Sequence, residues 1–307
     1  MRRLLILAIV VFAASSTARA DAQKDCVDKS GDEAIAACTQ AIRANPRNVQ
    51  AYYNRGLEYK GKLDYDRAIA DYTKAIEINP KYQAAYYNRA VAYLDKGMPD
   101  HAIADHIRAI ELDPRDADPH IALGRVYGSL GNYDRAIGAL NKAISLGSEQ
   151  SKGLRNTANS SGNKAYARRG YTLFFKGDFK AGAVDLLRAV EISNDGYSVL
   201  FRFLARARAG ETATDELEAN AGRLKYRSWP FAATELLAGR STPEATLAAV
   251  TRSDEICEAN FYIGEWHLLR RDTEAAANAF QAATADQCKT VYPEYPAAAA
   301  ELKRAKP

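Results

Sequence analysis

The chain has few of the residues with which proteins do chemistry. Four histidines, His101, His106, His120 and His267, are spread so that no two form an HxxxH or HExxH pair, the spacings that set two metal-binding imidazoles on one helical face. GxSxG, SxxK and phosphate-loop motifs are missing, which removes the recognisable nucleophile and nucleotide sites. The four cysteines, Cys26, Cys38, Cys257 and Cys288, never fall into a CxxC spacing, which argues against a zinc knuckle or a thioredoxin-type site. Leu4 to Ala14, an uninterrupted apolar run of 11 residues, is too short for a spanning helix of about 20. No basic run and no strand-like alternation occurs. These absences point away from an enzyme, a metal or cofactor site, a nucleic-acid binder and a membrane span.

What is present begins with an export pattern. Arg2 and Arg3 precede Leu4–Ala14, and Ala18-Arg19-Ala20 is a small-x-small cleavage site. Residues 1–20 are expected to be a cleaved signal peptide. The whole chain has 42 basic and 38 acidic residues, a formal charge of +4. Cleavage removes Arg2, Arg3 and Arg19 and no acid, leaving 39 against 38, or +1. So neutral a total gives no electrostatic footprint for nucleic acid. Cys26 follows Asp21-Ala22-Gln23-Lys24-Asp25, the wrong context for a lipidated first residue. The expected location is therefore the periplasm of a Gram-negative bacterium, or the medium if the protein is secreted.

The remaining sequence is periodic. Gly56, Ala90 and Gly124 align at an offset of 34 residues, as do Tyr59, Tyr93 and Tyr127, Ala68, Ala102 and Ala136, and Ala75, Ala109 and Ala143. Asp64 and Asn132 stand at N-cap positions, and Pro80 and Pro114 end their units because proline cannot extend a helix. This register resembles the tetratricopeptide repeat family. The resemblance implies an all-α solenoid of helix-turn-helix units, wound as a right-handed superhelix whose concave side binds proteins or peptides. Tyr166, Gly170, Asp178, Ala189 and Asn194 rejoin the frame after a 12-residue slip. Gly264, Asp272, Ala276, Phe280 and Ala283 fit again, while Ala34, Ala41 and Pro46 match only a second helix. About six units result, the first degenerate. The expected organisation is a first block over 21–147, a flexible polar linker over 148–163 and a second block over 164–307. Between Asn194 and Cys257 the frame lapses, although Tyr197–Ala209, Ala213–Tyr226, Phe231–Ala238 and Pro243–Thr251 keep helical spacing.

Four cysteines allow three pairings. Helical hairpins would set Cys26 beside Cys38 and Cys257 beside Cys288, crosslinking the two terminal units. The other reading is that position 38 is a small buried side chain and Cys26 is free.

In such arrays the first helix of each unit lines the groove. Its positions select Tyr53, Asn54, Leu57, Tyr87, Asn88, Val91, Ile121, Arg125, Lys164, Arg168 and Tyr171. An amide can bond an extended peptide backbone while a ring covers its side chains. Asp66, Asp100 and Asp134 open second helices, where acids complement the dipole. His106 and His267 occupy core positions of the repeat.

Trp229-Pro230-Phe231, Glu235-Leu236-Leu237-Ala238-Gly239 and Cys257 to Gly264 look like the corresponding region of the NlpI type of outer-membrane tetratricopeptide lipoprotein. That resemblance implies a non-catalytic adaptor for an envelope protease or peptidoglycan hydrolases. A second reading is a self-assembling scaffold that uses Phe174, Phe175 and Trp229 at an open edge. A third is a cell-wall hydrolase hidden in the irregular segment.

Overall fold

The computed structural model describes residues 24–150, 161–193, 195–224, 229–289 and 292–305, and every regular element among them is helical. The expected leader and positions 151–160 lie outside these residues, as do Asn194 and Tyr226. Two compact units divide the chain, 1–114 and 115–307.

The first unit holds α1 (24–28), α2 (Gly31–Ala44), α3 (Val49–Gly61), α4 (Tyr65–Ile78), α5 (Gln83–Asp95) and α6 (Pro99–Leu112). The hairpins α3–α4 and α5–α6 are the first two regular repeats. Local chemistry sets their ends. Asp64 accepts the Arg67 backbone N–H at the start of α4, and the backbone N–H groups of Asn79 and Asp113 close α4 and α6 one residue before Pro80 and Pro114. The two helices of a hairpin touch through the small residue at repeat position 8. A Cβ placed on Gly56 would lie 2.7 Å from the Tyr72 ring, so a larger side chain there would force the helices apart. Ala90 faces the same task opposite His106, which is fully buried with its ring 5.5 Å from that of Tyr87.

The second unit holds α7 (Ala117–Ser129), α8 (Tyr133–Gln150), α9 (Ser161–Lys176), α10 (Phe179–Ser193) and α11 (Gly196–Arg208). It continues through α12 (Thr214–Gly222), α13 (Phe231–Leu237), α14 (Pro243–Ala248), α15 (Ser253–Leu269), α16 (Thr273–Ala283), a 3-10 turn (Asp286–Cys288) and α17 (Glu294–Arg304). Gly124 meets Leu140, Gly170 meets Leu186 and Gly264 meets Phe280 in the way Gly56 meets Tyr72. The position 11 rings, Tyr59, Tyr93 and Tyr127, are partly buried, with Arg67, Arg89 and Arg135 guanidiniums 4.4, 5.8 and 5.8 Å from their respective centroids.

A ladder of arginines joins neighbouring hairpins. Arg55 forks onto Asp71 of its own hairpin at 2.8 and 2.7 Å and also donates to Thr39 of the preceding one at 2.9 Å. Arg89 repeats this with Asp105 and Thr73, and Arg169 with Asp185 and Asn141. In the third repeat the same positions carry Leu123 and Ala139. These arginines lie outside the groove positions of the repeat. Their signature is an Arg and an Asp 16 residues apart, recurring in the repeat frame once the 12-residue slip is allowed for.

The compact units part at Pro114–Arg115, and α8 packs against α9 within the second. α8 runs to Gln150 and α9 begins at Ser161. One expectation is corrected here: Phe174 and Phe175 are 0% and 2% exposed and form no open edge. They lie in the main apolar cluster with Phe201, Phe261, Tyr262 and Phe280, while Trp229 is partly buried against it and donates to Glu258.

Disulfides join Cys26 to Cys38 and Cys257 to Cys288. The first staples the single turn of α1 onto α2. A crosslink of this kind is worth about 2–4 kcal/mol.

Candidate functional site

In the first unit the predicted groove residues form one wall on α3 and α5, and all are half-buried. Tyr53 packs edge-on to Tyr82 at 5.1 Å and lies 5.9 Å from Tyr72. Burial, reinforced by Tyr82, raises its phenol pKa. The Asn88 amide donates to the Tyr53 hydroxyl and to the Ala84 carbonyl, both at 3.0 Å, and accepts from the Lys60 ammonium. Asn54 donates to the Cys26 carbonyl at 3.4 Å and accepts from Gln50 at 2.7 Å. Both amides are therefore engaged within the wall, where they fix helix spacing. Leu57 packs beside Tyr72, and Tyr87 and Val91 extend the wall along α5.

The second unit is different. Tyr171 is only 5% exposed: its hydroxyl pairs with Ser198 at 3.2 Å, and its ring meets Phe201 at 4.9 Å and Tyr292 at 6.3 Å. The groove face of α9 is covered by α17 and the turn before it. Arg304 donates to the carbonyl oxygens of Phe174 and Phe175 near the end of α9, and Arg208 bridges Glu265 of α15 and Glu301 of α17. None of this closure is visible in the repeat register, because α17 and the turn before it are more than a hundred residues from α9 in the chain.

What remains open is a cleft of about 450 Å3. Lys164, Arg168 and Tyr171 of α9 line one side, with Ile121 of α7. Asp195, Tyr197, Tyr292 and Pro293 line the other. The Arg168 guanidinium lies 4.5 Å from the Tyr292 ring centroid. Arg125 is close enough to lower the Tyr292 pKa that burial raises. Behind the wall, the Tyr197 hydroxyl and the Trp229 indole both donate to Glu258, and Tyr262 donates to Glu294 at 2.6 Å. Burial and the neighbouring Glu258 push the Glu294 carboxyl up to about 8. Sequence reading missed Tyr197, Tyr292, Glu258 and Glu294, since none occupies a groove position of the repeat.

Among the described residues no group of three or more His, Cys, Asp or Glu side chains is placed to hold a metal ion. His120 is buried, which lowers its pKa, and His267 pairs with Asp272 at 3.2 Å. No described helix is long and apolar enough to cross a membrane.

Comparison with known proteins agrees with the geometry. The chain carries tetratricopeptide repeats: one family model of that description matches residues 49–82 and 84–116, and a second matches 108–138. A tetratricopeptide repeat protein from Parabacteroides merdae is 16% identical, with 95% of this chain and 98% of that one covered and a TM-score of 0.56. Residues 41 to the end of MamA from Desulfovibrio magneticus are 21% identical over 58% of this chain and 94% of that one, with a TM-score of 0.50. Another MamA structure is 29% identical over 52% and 86%, with a TM-score of 0.45. The first two likenesses support the fold.

Proposed function

We propose, from the tetratricopeptide repeats that the chain carries, that it is an exported, non-catalytic adaptor of the bacterial cell envelope that holds a protein or an extended peptide. The observation that carries this reading is the wall of Tyr53, Leu57, Tyr87 and Val91 in the first unit. Half-exposed rings and aliphatic side chains stand there at repeat spacing, on helices whose separation is fixed by Asn54 and Asn88. A pre-organised wall of this kind binds at low ordering cost. Paired cysteines at both ends of the described chain favour an oxidising compartment, in keeping with the leader pattern. An envelope protease or peptidoglycan hydrolase suits that location, as the resemblance to the NlpI type suggests.

Crosslinking in cells, followed by capture from envelope extract, tests the reading. A discrete envelope protein should be recovered with the wild type and reduced several-fold with Val91→Glu, a half-buried position outside the internal hydrogen bonds. Equal recovery with both, at unchanged helicity, would remove the wall from the interaction. Turnover of cell wall or peptide by the purified protein alone would replace the adaptor reading with a hydrolase.

A further inference from the structure

The two disulfides of this protein have unlike surroundings. Cys257 belongs to α15, which also buries Phe261 and Tyr262, and Cys288 closes a turn beside α17, which buries Ala297 and Ala298. Those elements have ample apolar anchorage besides the bridge. Cys26 has no such company. It is the one buried residue of α1: Lys24, Val27 and Asp28 are exposed, as are Lys29 and Ser30 after it. A helix of one turn has no stability of its own, and the exposed pairs of Lys29 with Asp25 and Glu33 add little. What holds α1 in place is chiefly its bridge to Cys38.

The side chain that α1 rests on belongs to the wall. The Asn54 amide of α3 donates to the Cys26 carbonyl at 3.4 Å and lies 4.0 Å from the Cys26 sulfur. Asn88 is its equivalent one repeat later, but Asn88 is satisfied by Tyr53, Ala84 and Lys60, all of them on α3 and α5. The acceptor for Asn54 sits instead on the tethered turn. Cys26 packs there with small residues only, Ala37, Cys38, Ala41 and Ala51, so little apolar area would meet water if α1 left. The start of α2 does not depend on α1. The Gly31 N–H donates to Glu58 at 2.6 Å, and Asp32 pairs with Lys62 at 2.7 Å. Gly31 itself, with φ 64°, gives the chain a joint between the two helices.

We propose that α1 is a redox-operated latch on the wall of the first unit: the closed Cys26–Cys38 bridge holds the turn against Asn54, and its opening frees that amide for the backbone of a bound peptide. The proposal rests on the adaptor reading and adds how binding is regulated. The reagent that opens the latch is a dithiol. One of its thiolates attacks a sulfur of the bridge, forming a mixed disulfide and releasing the other cysteine. Its second thiol then displaces the first cysteine and closes the reagent's own disulfide. Two electrons pass to the protein, and the two protons of the dithiol end on Cys26 and Cys38. Both cysteines are buried, so the attack follows a transient unseating of α1, a local opening of the kind that short, weakly anchored elements undergo most readily.

The test compares the purified protein in three forms: oxidised wild type, wild type treated with dithiothreitol, and the double variant Cys26→Ala, Cys38→Ala, which keeps the second disulfide. Trypsin should cut after Lys29 about tenfold faster or more in the two open forms, with hydrogen exchange in α3 to α6 unchanged. Cys26→Ser alone, which leaves the Cys38 side chain in its buried place, serves should the double variant lose that protection. Peptides retained from an array of random decapeptides should bind the open forms about fivefold more tightly, the gain of one neutral hydrogen bond. Adding Asn54→Ala to the open variant should cancel that gain. Cleavage after Lys29 at one rate in all forms would overturn the latch. Faster cleavage with unchanged peptide affinity, or a gain that survives Asn54→Ala, would overturn its coupling to the wall while leaving peptide binding intact. Retention of no peptide by any form would overturn the adaptor reading, and the coupling with it.

Discussion

The two compact units use one 34-residue frame for opposite ends. In the first, Ala51, Ala68, Ala75, Ala85, Ala90, Ala92, Ala102 and Ala109 are buried with the Tyr72 ring, and Tyr53, Tyr82 and Tyr87 stand half-exposed on the wall. In the second, large side chains fill the interior: Phe174, Phe175, Phe201, Phe261, Tyr262 and Phe280 form one cluster, and α17 closes over the face that the first unit leaves open. A repeat with a small interior must take its stability from neighbours and so stays an extended wall. A repeat with a phenyl-rich interior can recruit distant helices and become a small globule with a single cleft.

The comparison is broken most severely by emptying the second core. Phe201→Ala is expected to destabilise that unit by about 3–5 kcal/mol, with hydrogen exchange hastened only there. Equal loss of protection in α3 to α6 would show that the units unfold together. The ladder of the first unit is next. Asp105→Ala leaves Arg89 partly buried and unpaired, a cost of about 2–3 kcal/mol by denaturant unfolding. The double change Arg89→Leu, Asp105→Ala copies what the third repeat carries at Leu123 and Ala139, and it should cost less than the single one.

One buried acid of the second unit, Glu294, sharpens the contrast through pH. Glu294 holds its proton in the fold up to about 8, whereas in the unfolded chain it releases it near an ordinary carboxyl value. Between those two values the folded state binds more protons, so stability falls as pH rises. Glu294→Gln should flatten that fall and raise stability at pH 8 by about 1–2 kcal/mol, as read from melting curves across the range. An unchanged pH profile would place the titration elsewhere. The smallest effect belongs to the hairpin loops. Gly97, Gly131 and Gly177 take left-handed backbone angles after the first helix, but in the first repeat Leu63 does so with φ 61° and is 71% exposed. Leu63→Gly should gain up to about 1 kcal/mol by relieving that conformation.

Much of this was legible before any coordinates. The offset of Gly56, Ala90 and Gly124 gave the hairpins, because close helix approach is a local demand that the sequence must meet at every turn of the array. The hairpin geometry likewise brought Cys26 to Cys38 and Cys257 to Cys288. The helices α11 to α14 were readable as helices, but their place was not, since their partners do not lie at a fixed spacing. The same holds for the site. Lys164, Arg168 and Tyr171 are selected by repeat position, yet Tyr197 and Tyr292, which complete the cleft, come from outside the repeat frame. Asn54 and Asn88 were read as ligands for a peptide backbone; in the structure they bond the protein's own groups.

The bond from Arg169 to Asn141 spans 28 residues, where the matching bonds from Arg55 to Thr39 and from Arg89 to Thr73 span 16. The twelve additional residues thus fall at one seam of the sequence without altering how the flanking hairpins, α7–α8 and α9–α10, seat. That seam is a natural splice port: a reporter domain or affinity handle grafted between Gln150 and Ser161 should leave both the wall and the cleft in working order, and would give a direct way to watch the protein engage its cargo.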